Sequence, residues 1–470
     1  MSIESDGRTR PPGGFKSKLS ETGYASILNL RNDRIVLMNS ILKKIGPAII
    51  VTAVVLGPGS ILTSSRVGAS FGLVGLPVIA MAALLMIAMV ALAARLGVAY
   101  EGSLCGELAS RLGRPVAVAI GLTLFTLVAL FQSSNNLALI GGLEPLMGEG
   151  ALNLFARSAI LVVVNIAVVA ILYLAQNLYN VVEKLMKLLV AVMILAFLAN
   201  FLVVFASRRS FEMSSAQGSL DWLPLLGMIG TTFSVGGAFY QAYLVKQKGW
   251  SLQDTQKSLT DSVVSISILG GITAIILLTA WHTFHGNPAA PTLGSVGDVA
   301  RQLEPLFGAW SKVIFCAGIL AGGLSSFLVN GLIGGTVMSD SVGKGSSLSD
   351  GWPRHLTTVA LLVGMAVALA SLMSEGSVVH LITFAQALTV LGIPVLALAL
   401  IYLGTRSDLS EQAKPPKWVL TLAIFGFAVA CVLASITAKT LYQKLFPEEE
   451  AISLAISHME PLLNVDFPFD

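Results

Sequence analysis

The sequence has little charge and few cysteines. Charged residues make up 12% of its 470 residues, about half the share that soluble domains carry. The three cysteines, Cys105, Cys316 and Cys431, are scattered without metal-ligand spacing, which argues against a disulfide framework or a zinc site. The 29 basic and 26 acidic residues nearly cancel, so a nucleic-acid partner is not expected.

A secretory signal is also missing from the start of the chain. Residues 1–44 are polar and basic, and they contain no short apolar stretch followed by a small-residue cleavage site. This composition predicts a retained cytosolic tail over 1–44.

Long apolar stretches dominate the remainder. Hydrophobic residues make up 55% of the chain and the mean hydropathy is +0.80. Apolar stretches long enough to cross a bilayer recur along the chain, which predicts an all-α polytopic membrane protein embedded in the lipid bilayer. Eleven spans are predicted near 45–71, 73–98, 116–147, 153–175, 179–206, 223–247, 256–284, 312–338, 355–373, 377–404 and 416–442.

The distribution of Lys and Arg predicts the orientation. Most of the basic residues fall in the N-terminal tail and in the loops on the same side of the membrane. Cytosolic loops carry such an excess. The pattern predicts a multi-pass protein of the cell inner (plasma) membrane, with a cytosolic N-terminus and an extracytoplasmic C-terminal tail over 443–470.

Two spans are interrupted at matching places. The first contains Gly57-Pro58-Gly59-Ser60 and the sixth contains Ser234-Val235-Gly236-Gly237, compositions that favour unwinding. The sixth span is the fifth after the first, so each interruption opens a five-helix repeat, 45–206 or 223–404, and the two repeats are inverted. The span over 416–442 is an additional helix. This arrangement predicts a secondary transporter that works by alternating access with a site near the midplane.

Several short segments stand out in order along the chain. They are Gly46-Pro47-Ala48, Gly57-Pro58-Gly59-Ser60, Ala93-Ala94-Arg95-Leu96-Gly97-Val98, Gly230-Thr231-Thr232, Ser325-Ser326 and Pro394. On these segments the chain resembles the Nramp family of proton-coupled divalent-metal transporters. The resemblance implies the LeuT-type fold, with two inverted five-helix repeats and one further helix.

The chain departs from the family at the positions that the resemblance implies for metal and proton binding. Where the family's first break has Asp and Asn ligands, this chain has Gly57 and Ser60. The Met-Pro-His motif of the sixth helix aligns with Ser234, Val235 and Gly236, and a second histidine with Gln241. An acidic pair in the third helix aligns with Gln132 and Asn135, and a glutamine of the tenth helix with Gly392. Divalent cations prefer carboxylate, imidazole or sulfur ligands, so no metal site is expected here.

Arg66 instead indicates an anionic substrate. A charged residue inside a span is costly and is by default a functional hypothesis, and a guanidinium suits a carboxylate. Alternatively, Arg66 reaches the outer interface or pairs with Glu144. With glycines and neutral donors around it, the predicted substrate is a small organic anion, such as a di- or tricarboxylate like citrate, free or metal-chelated. The predicted binding residues are Gly57, Gly59, Ser60, Ser64, Arg66, Gln132, Ser133, Asn135, Ser234, Gly236, Gly237 and Gln241.

Other functions stay open at this point. One is proton-coupled import of Mg²⁺, Mn²⁺ or Fe²⁺ through a rebuilt site, another is amino-acid transport, and a third is ligand sensing without transport. A proton or a sodium ion is expected as the coupling ion. No cofactor is expected, and no nucleophile–base set indicates an enzyme.

Overall fold

A computed structural model describes residues 46–148, 151–207, 222–287, 293–373 and 377–445. The predicted N-terminal tail, and all but the start of the predicted C-terminal tail, lie outside these residues. Within them the chain is helical, with no β-strand. The helices of the first repeat are α1 (Ala48–Val55), α2 (Pro58–Phe71), α3 (Gly75–Ala99), α4 (Leu104–Leu112), α5 (Arg114–Met147), α6 (Leu154–Leu174) and α7 (Leu178–Ala206). Those that follow are α8 (Leu223–Thr232), α9 (Val235–Gln247), α10 (Thr255–Phe284), α11 (Val296–Phe307), α12 (Ala309–Ser341), α13 (Gly351–Leu372), α14 (Ser377–Gly404) and α15 (Lys417–Leu445).

Helices long and apolar enough to cross a membrane make up most of this structure. Eight stretches of the described residues meet that standard, and one of them, Pro58–Ala99, contains both α2 and α3. The two interrupted spans are divided into shorter helices, and α14 contributes a shorter apolar helix over Val390–Gly404. Each of the eleven predicted spans therefore corresponds to helix, and the chain is a multi-pass membrane protein.

Both predicted interruptions are present, but each is shorter and begins one residue earlier than predicted. The predicted breaks covered 57–60 and 234–237. In the structure α1 ends at Val55 and α2 begins at Pro58, while α8 ends at Thr232 and α9 begins at Val235. Proline has no backbone N–H and a fixed φ, which suit the first turn of a helix, so Pro58 starts α2 rather than prolonging the break.

The two repeats match in their order of elements. A broken helix, α1/α2 or α8/α9, is followed by four long helices, which are α3, α5, α6 and α7 in one repeat and α10, α12, α13 and α14 in the other. A short amphipathic helix, α4 or α11, follows the second span of each repeat. This is the LeuT-type fold of two inverted repeats. Because the repeats are inverted, α4 and α11 lie on opposite faces of the bundle, called here the α4 face and the α11 face.

Small residues let the central helices pack closely. A Cβ on Gly121 of α5 would lie 2.2 Å from Ser341 Oγ of α12, and one on Gly68 of α2 would lie 2.3 Å from the Leu277 carbonyl oxygen of α10. Close backbone approach of this kind is typical of helix contacts inside membranes. It holds α2 against α10 and α5 against α12.

Candidate functional site

A cavity lies at the two breaks and extends along α2 and α8 towards the α11 face. Its volume of about 140 Å³ is similar to that of a cavity that admits a benzene molecule. The predicted site residues that line it are Gly57, Gly59, Ser60, Arg66, Ser234, Gly236 and Gly237. Thr63, Thr231 and Asn330 add polar groups that the sequence analysis did not include.

Neutral oxygens form the polar part of the cavity at the first break. Ser60 Oγ donates to the Val55 carbonyl oxygen at 2.5 Å, and Thr63 Oγ1 donates to the Gly59 carbonyl oxygen at 2.8 Å. Thr63 Oγ1 also lies 3.3 Å from Thr231 Oγ1 of α8. A hydroxyl that donates its proton to a carbonyl keeps lone pairs that can accept hydrogen bonds or contact a cation.

Gly57 is small because α12 approaches the break closely. A Cβ at this position would lie 2.6 Å from Ser326 Oγ and 2.9 Å from Ser326 Cβ. A larger side chain would therefore require α12 to shift. An aspartate at position 57, as the family has, would not fit beside Ser326 unless α12 moved.

Arg66 lines the cavity but directs its guanidinium at a neighbouring segment. Its Nε donates to the Leu293 carbonyl oxygen at 2.6 Å, and its Nη2 donates to the Gly294 carbonyl oxygen at 3.0 Å. These residues immediately precede α11. Glu144, considered as a partner for Arg66, instead contacts Arg157 and Arg301. Arg66 therefore attaches α2 to the segment before α11, 227 residues along the chain.

Three of the other predicted site residues belong to hydrogen bonds between helices or within α5, outside the cavity lining. Gln132 Nε2 donates to the Phe327 carbonyl oxygen of α12 at 2.6 Å, and Asn135 Nδ2 donates to Gln132 Oε1 at 2.7 Å. Ser133 Oγ donates to the Leu130 carbonyl oxygen at 2.6 Å. All three residues are fully buried. The structure shows these three side chains in hydrogen bonds inside the bundle. That they bind substrate stays a prediction.

Ser64 and Gln241 are fully buried and also lie outside the cavity lining. Within the described chain, Ser64 Oγ and both polar atoms of the Gln241 amide have no hydrogen-bond partner. Leaving such atoms unpaired is costly, so these two residues are the least well explained of the predicted set.

The cavity is almost free of ionisable groups. Arg66 is the one ionisable residue in the cavity lining that the structure describes. Among the residues that the structure describes, there is no group of three or more His, Cys, Asp or Glu side chains placed to hold a metal ion. A cation in this cavity would therefore meet hydroxyl and carbonyl oxygens rather than carboxylates.

Charged and polar side chains join α9 to its neighbours on the α4 face. The Lys248 ammonium lies 2.7 Å from the Glu183 carboxylate of α7, whose side chain is 6% exposed. Tyr243 donates to Asp340 Oδ2 of α12 at 2.7 Å. Lys246 donates to the carbonyl oxygens of Tyr100 and Glu101, at 2.5 and 2.9 Å. These contacts attach the α4-face half of the second broken helix to the surrounding helices.

The α4-face half of the first broken helix is attached in a similar way. The Ala48 N–H, at the start of α1, donates to Asp261 Oδ2 of α10 at 2.9 Å. The sequence analysis missed Glu183, Asp261 and Asp340 as functional candidates. An acid inside an apolar span is costly enough to indicate a role, and that signal was present for Glu183 and Asp261, which lie within the predicted spans 179–206 and 256–284.

Asp340 also fixes the start of α4. It accepts hydrogen bonds from Ser103 Oγ at 2.5 Å and from the Cys105 N–H at 3.1 Å. Cys105 is fully buried, and this burial raises the pKa of its thiol to about 12. The thiol is therefore both inaccessible and protonated while the α4 face is closed.

Comparison with known proteins identifies the family. The model of the Natural resistance-associated macrophage protein-like family matches residues 48–440. The chain is 25% identical over 397 residues to the divalent metal cation transporter MntH of Acidiphilium cryptum, covering 82% of this chain and 87% of that protein. It is 24% identical over 416 residues to MntH of Yersinia pestis, covering 86% and 96%. A crystal structure of the Eremococcus coleocola manganese transporter has a TM-score of 0.71 at 19% identity, covering 90% and 92% of the two chains; at this identity the likeness shows the fold. The chain therefore belongs to the Nramp family of membrane transporters.

Proposed function

We propose that this chain transports a divalent metal cation that keeps part of its hydration shell, through the cavity at the two breaks. The relatives reported above are named divalent metal cation transporters, and the structural relative is a manganese transporter. An organic anion, expected from the sequence, has no such support. The observation that carries the proposal is the orientation of Arg66, whose guanidinium donates to the Leu293 and Gly294 carbonyl oxygens. The Arg66 guanidinium, which suggested an anionic substrate, therefore contacts backbone carbonyl oxygens of the chain itself.

The lining favours a hydrated ion over a bare one. Without a carboxylate, hydroxyl and carbonyl oxygens would have to offset the full cost of dehydration. Mg²⁺ gives up its water reluctantly and usually keeps several water ligands in proteins. Water bound to a divalent cation donates strong hydrogen bonds, and Ser60, Thr63 and Thr231 have oxygens at the cavity that can accept them.

The two breaks add backbone oxygens. The last carbonyls of α1 and α8 have no partner within their own helices and carry partial negative charge. A site of this kind would recognise a cation by its charge and hydrated size. We therefore expect little discrimination between Mg²⁺ and Mn²⁺, because the soft ligands that favour transition metals are missing.

The direction of transport follows if the predicted orientation holds. With the N-terminus cytosolic, the α4 face is cytosolic and the cavity extends towards the opposite side. Contacts such as Lys248–Glu183 and Tyr243–Asp340 would close the cytosolic side in this state. Import by alternating access requires those contacts to separate.

Uptake into proteoliposomes tests the proposal. Purified protein is reconstituted and supplied with Mn²⁺ alone, Mg²⁺ alone, radiolabelled citrate alone, a labelled amino acid alone, or Mn²⁺ with citrate. We expect saturable uptake of both metals in the absence of any organic anion. Citrate uptake alone, or metal uptake only when citrate is present, would instead support an anion or a chelate as the substrate.

A pair of serine variants relates uptake to the cavity. Ser60→Ala removes a hydroxyl that lines the cavity, and we expect weaker metal uptake. Ser341→Ala is the matched control, because Ser341 Oγ donates within its own helix, to the Met338 carbonyl oxygen at 2.8 Å. Equal uptake in the two variants would argue against this cavity as the path.

A further inference from the structure

We propose that Asn330 of α12 determines the sign of charge that the cavity accepts. Its side-chain oxygen Oδ1 accepts a hydrogen bond from water bound to the cation, and Ser326 is the positioning residue that orients the amide. The inference rests on the proposed function and deepens it, because it names the residue by which the cavity favours a hydrated cation over an anion. Asn330 is not among the site residues that the sequence predicted.

Asn330 lies inside a membrane-spanning helix. It belongs to the central part of α12 and, together with Ile333, represents that helix in the cavity lining that the structure describes. A polar side chain inside a span is costly. The presence of an amide at this position therefore needs a partner or a function to explain it.

Contacts between helices do not explain this amide. Asn330 Nδ2 donates to Ser326 Oγ at 3.0 Å, one turn away on the same helix. An amide that holds membrane helices together bonds to a neighbouring helix, as Gln132 does when it donates to the Phe327 carbonyl oxygen. The hydrogen bond of Asn330 instead stays within α12.

The contact with Ser326 sets the direction of the amide. An asparagine amide has a donor end, the NH₂ group, and an acceptor end, the oxygen Oδ1. Ser326 takes the donor end, which leaves Oδ1 for the cavity that Asn330 lines. Ser326 is fully buried, and its Oγ lies 2.6 Å from the position that a Cβ on Gly57 would occupy. The serine therefore has little room to move, and it holds the amide beside the first break.

An acceptor at this point distinguishes a hydrated cation from an anion. Water bound to a divalent cation donates hydrogen bonds, and asparagine carbonyl oxygens are among the ligands that hard cations use in proteins. A carboxylate has only acceptor atoms, which Oδ1 would repel. Ser60 and Thr63 of α2 and Asn330 of α12 thus place acceptors on two helices that border the cavity.

Removing the amide tests whether Oδ1 contacts the hydrated ion. Metal affinity is measured by thermal unfolding of the purified protein at increasing MnCl₂ or MgCl₂, because a ligand that binds the folded state raises the midpoint temperature. Asn330→Leu nearly keeps the volume, and we expect it to weaken both affinities about tenfold, the usual effect of losing a hydrogen bond to a charged group. Asn330→Ala covers the case in which the leucine variant fails to fold. Wild-type affinity in either folded variant would overturn the proposal.

Adding a charge gives a result that a merely structural role would not produce. Asn330→Asp keeps the size of the side chain and places a carboxylate at the cavity, so both metals should bind at least about tenfold more tightly. Asn180→Asp is the matched control, because Asn180 is exposed at the start of α7 and gains the same charge away from the cavity. Unchanged metal affinity in folded Asn330→Asp, or an equal gain in the control, would contradict the proposal.

A double variant tests the role of Ser326. Ser326→Ala frees the amide to rotate and should weaken metal affinity by a few fold, less than Asn330→Leu does. If the serine acts through the amide, the Ser326→Ala, Asn330→Leu protein should bind metal no more weakly than Asn330→Leu alone. An additional loss as large as that in the single Ser326→Ala variant would show that Ser326 does not act by orienting Asn330.

Uptake into proteoliposomes separates this inference from the proposed function. If the wild type takes up Mn²⁺ or Mg²⁺ and the folded Asn330→Leu and Asn330→Asp variants have the same half-saturating metal concentration, the proposed function stands and the inference is wrong. If the wild type takes up neither metal, both are wrong. Metal uptake in the wild type with opposite shifts in the two variants is the result that we expect.

Discussion

The two faces of the bundle differ in the contacts that they make with the same pair of broken helices. On the α4 face, α1 and α9 are attached to neighbouring helices through Asp261, Glu183 and Asp340. On the α11 face, α2 and α8 line the cavity and meet through the hydroxyls of Thr63 and Thr231. The difference shows that strong polar contacts hold one end of the breaks together while the other end leaves room. Transport by alternating access would require the α4-face contacts to break.

Removing the Asp340 carboxylate should have the largest effect on this difference. Asp340→Ala leaves the Tyr243 hydroxyl, the Ser103 hydroxyl and the Cys105 N–H without their acceptor. The Tyr243 and Cys105 donors are buried, and leaving such a group unsatisfied typically costs about 1–3 kcal/mol. We expect the α4 face to open more often, so that Cys105 reacts with a maleimide about 10- to 100-fold faster in a Cys316→Ser, Cys431→Ser background.

Two comparisons make that result specific. Asp340→Asn keeps one oxygen acceptor and should show a smaller increase. Size-exclusion chromatography of each variant establishes that the labelled protein is folded. An unchanged labelling rate in folded Asp340→Ala would mean that this carboxylate does not hold the α4 face closed.

Breaking the Lys248–Glu183 ion pair should have a moderate effect. Lys248 is 33% exposed, and Glu183 keeps Lys187 at 2.8 Å, so the loss is a partly screened interaction of about 1 kcal/mol. Lys248→Met should therefore raise Cys105 labelling by a few fold. Lys257→Met is the matched control, because its 3.8 Å pair with Asp254 is exposed. The same increase in both variants would contradict a specific role for Glu183.

On the α11 face, Arg66→Ala should loosen the segment before α11 without abolishing metal uptake. The variant removes a charged donor from the Leu293 and Gly294 carbonyls, so hydrogen exchange should become faster over 293–307. Metal affinity should stay the same or rise by at most a few fold, because a positive charge at the cavity is lost. Arg66→Lys should be intermediate. Loss of metal uptake in a folded Arg66→Ala protein would support the anionic substrate again.

The smallest effect is expected at the surface of the α4 face. Asp408 is 48% exposed and lies 2.7 Å from Arg111, whose hydrogen bond lowers the pKa of the Asp408 carboxyl. The stability from this pair is present above the unfolded pKa of about 3.9 and is lost as the pH falls through the lower folded value. Asp408→Asn should therefore reduce the midpoint temperature slightly and equally at pH 7 and pH 5.5. A difference that disappears between these pH values would contradict the lowered pKa.

The fold could be predicted because its signals are local. Long apolar stretches define the spans, and Gly57-Pro58 marks the first break without information from other helices. The predicted limits of the breaks were wrong, since Pro58 and Val235 begin the next helix instead of extending the gap. The short helices α4 and α11 were not predicted, because their mixed polar composition and small length differ from those of a span.

Among the predicted site residues, those next to the breaks line the cavity, whereas several of the others lie outside it. Ser60 and Ser234 line the cavity. Both could be predicted because they lie at the interruptions, which the sequence marks. For Gln132 the outcome depends on the rotation of α5, which directs the amide to the Phe327 carbonyl. Arg66 lines the cavity, yet the Leu293 carbonyl oxygen that it contacts lies 227 residues away, and no local pattern indicates this partner.

The close contact between Gly57 and Ser326 also limits how this protein can change over evolution. A single substitution from glycine to aspartate at position 57 would bring a Cβ within 2.6 Å of the serine hydroxyl, so it would cost stability before it could provide a metal ligand. Position 326 would have to change first or at the same time. A lineage with this pair of residues could therefore regain the carboxylate only after a change at position 326, or in α12 as a whole, had made room for it.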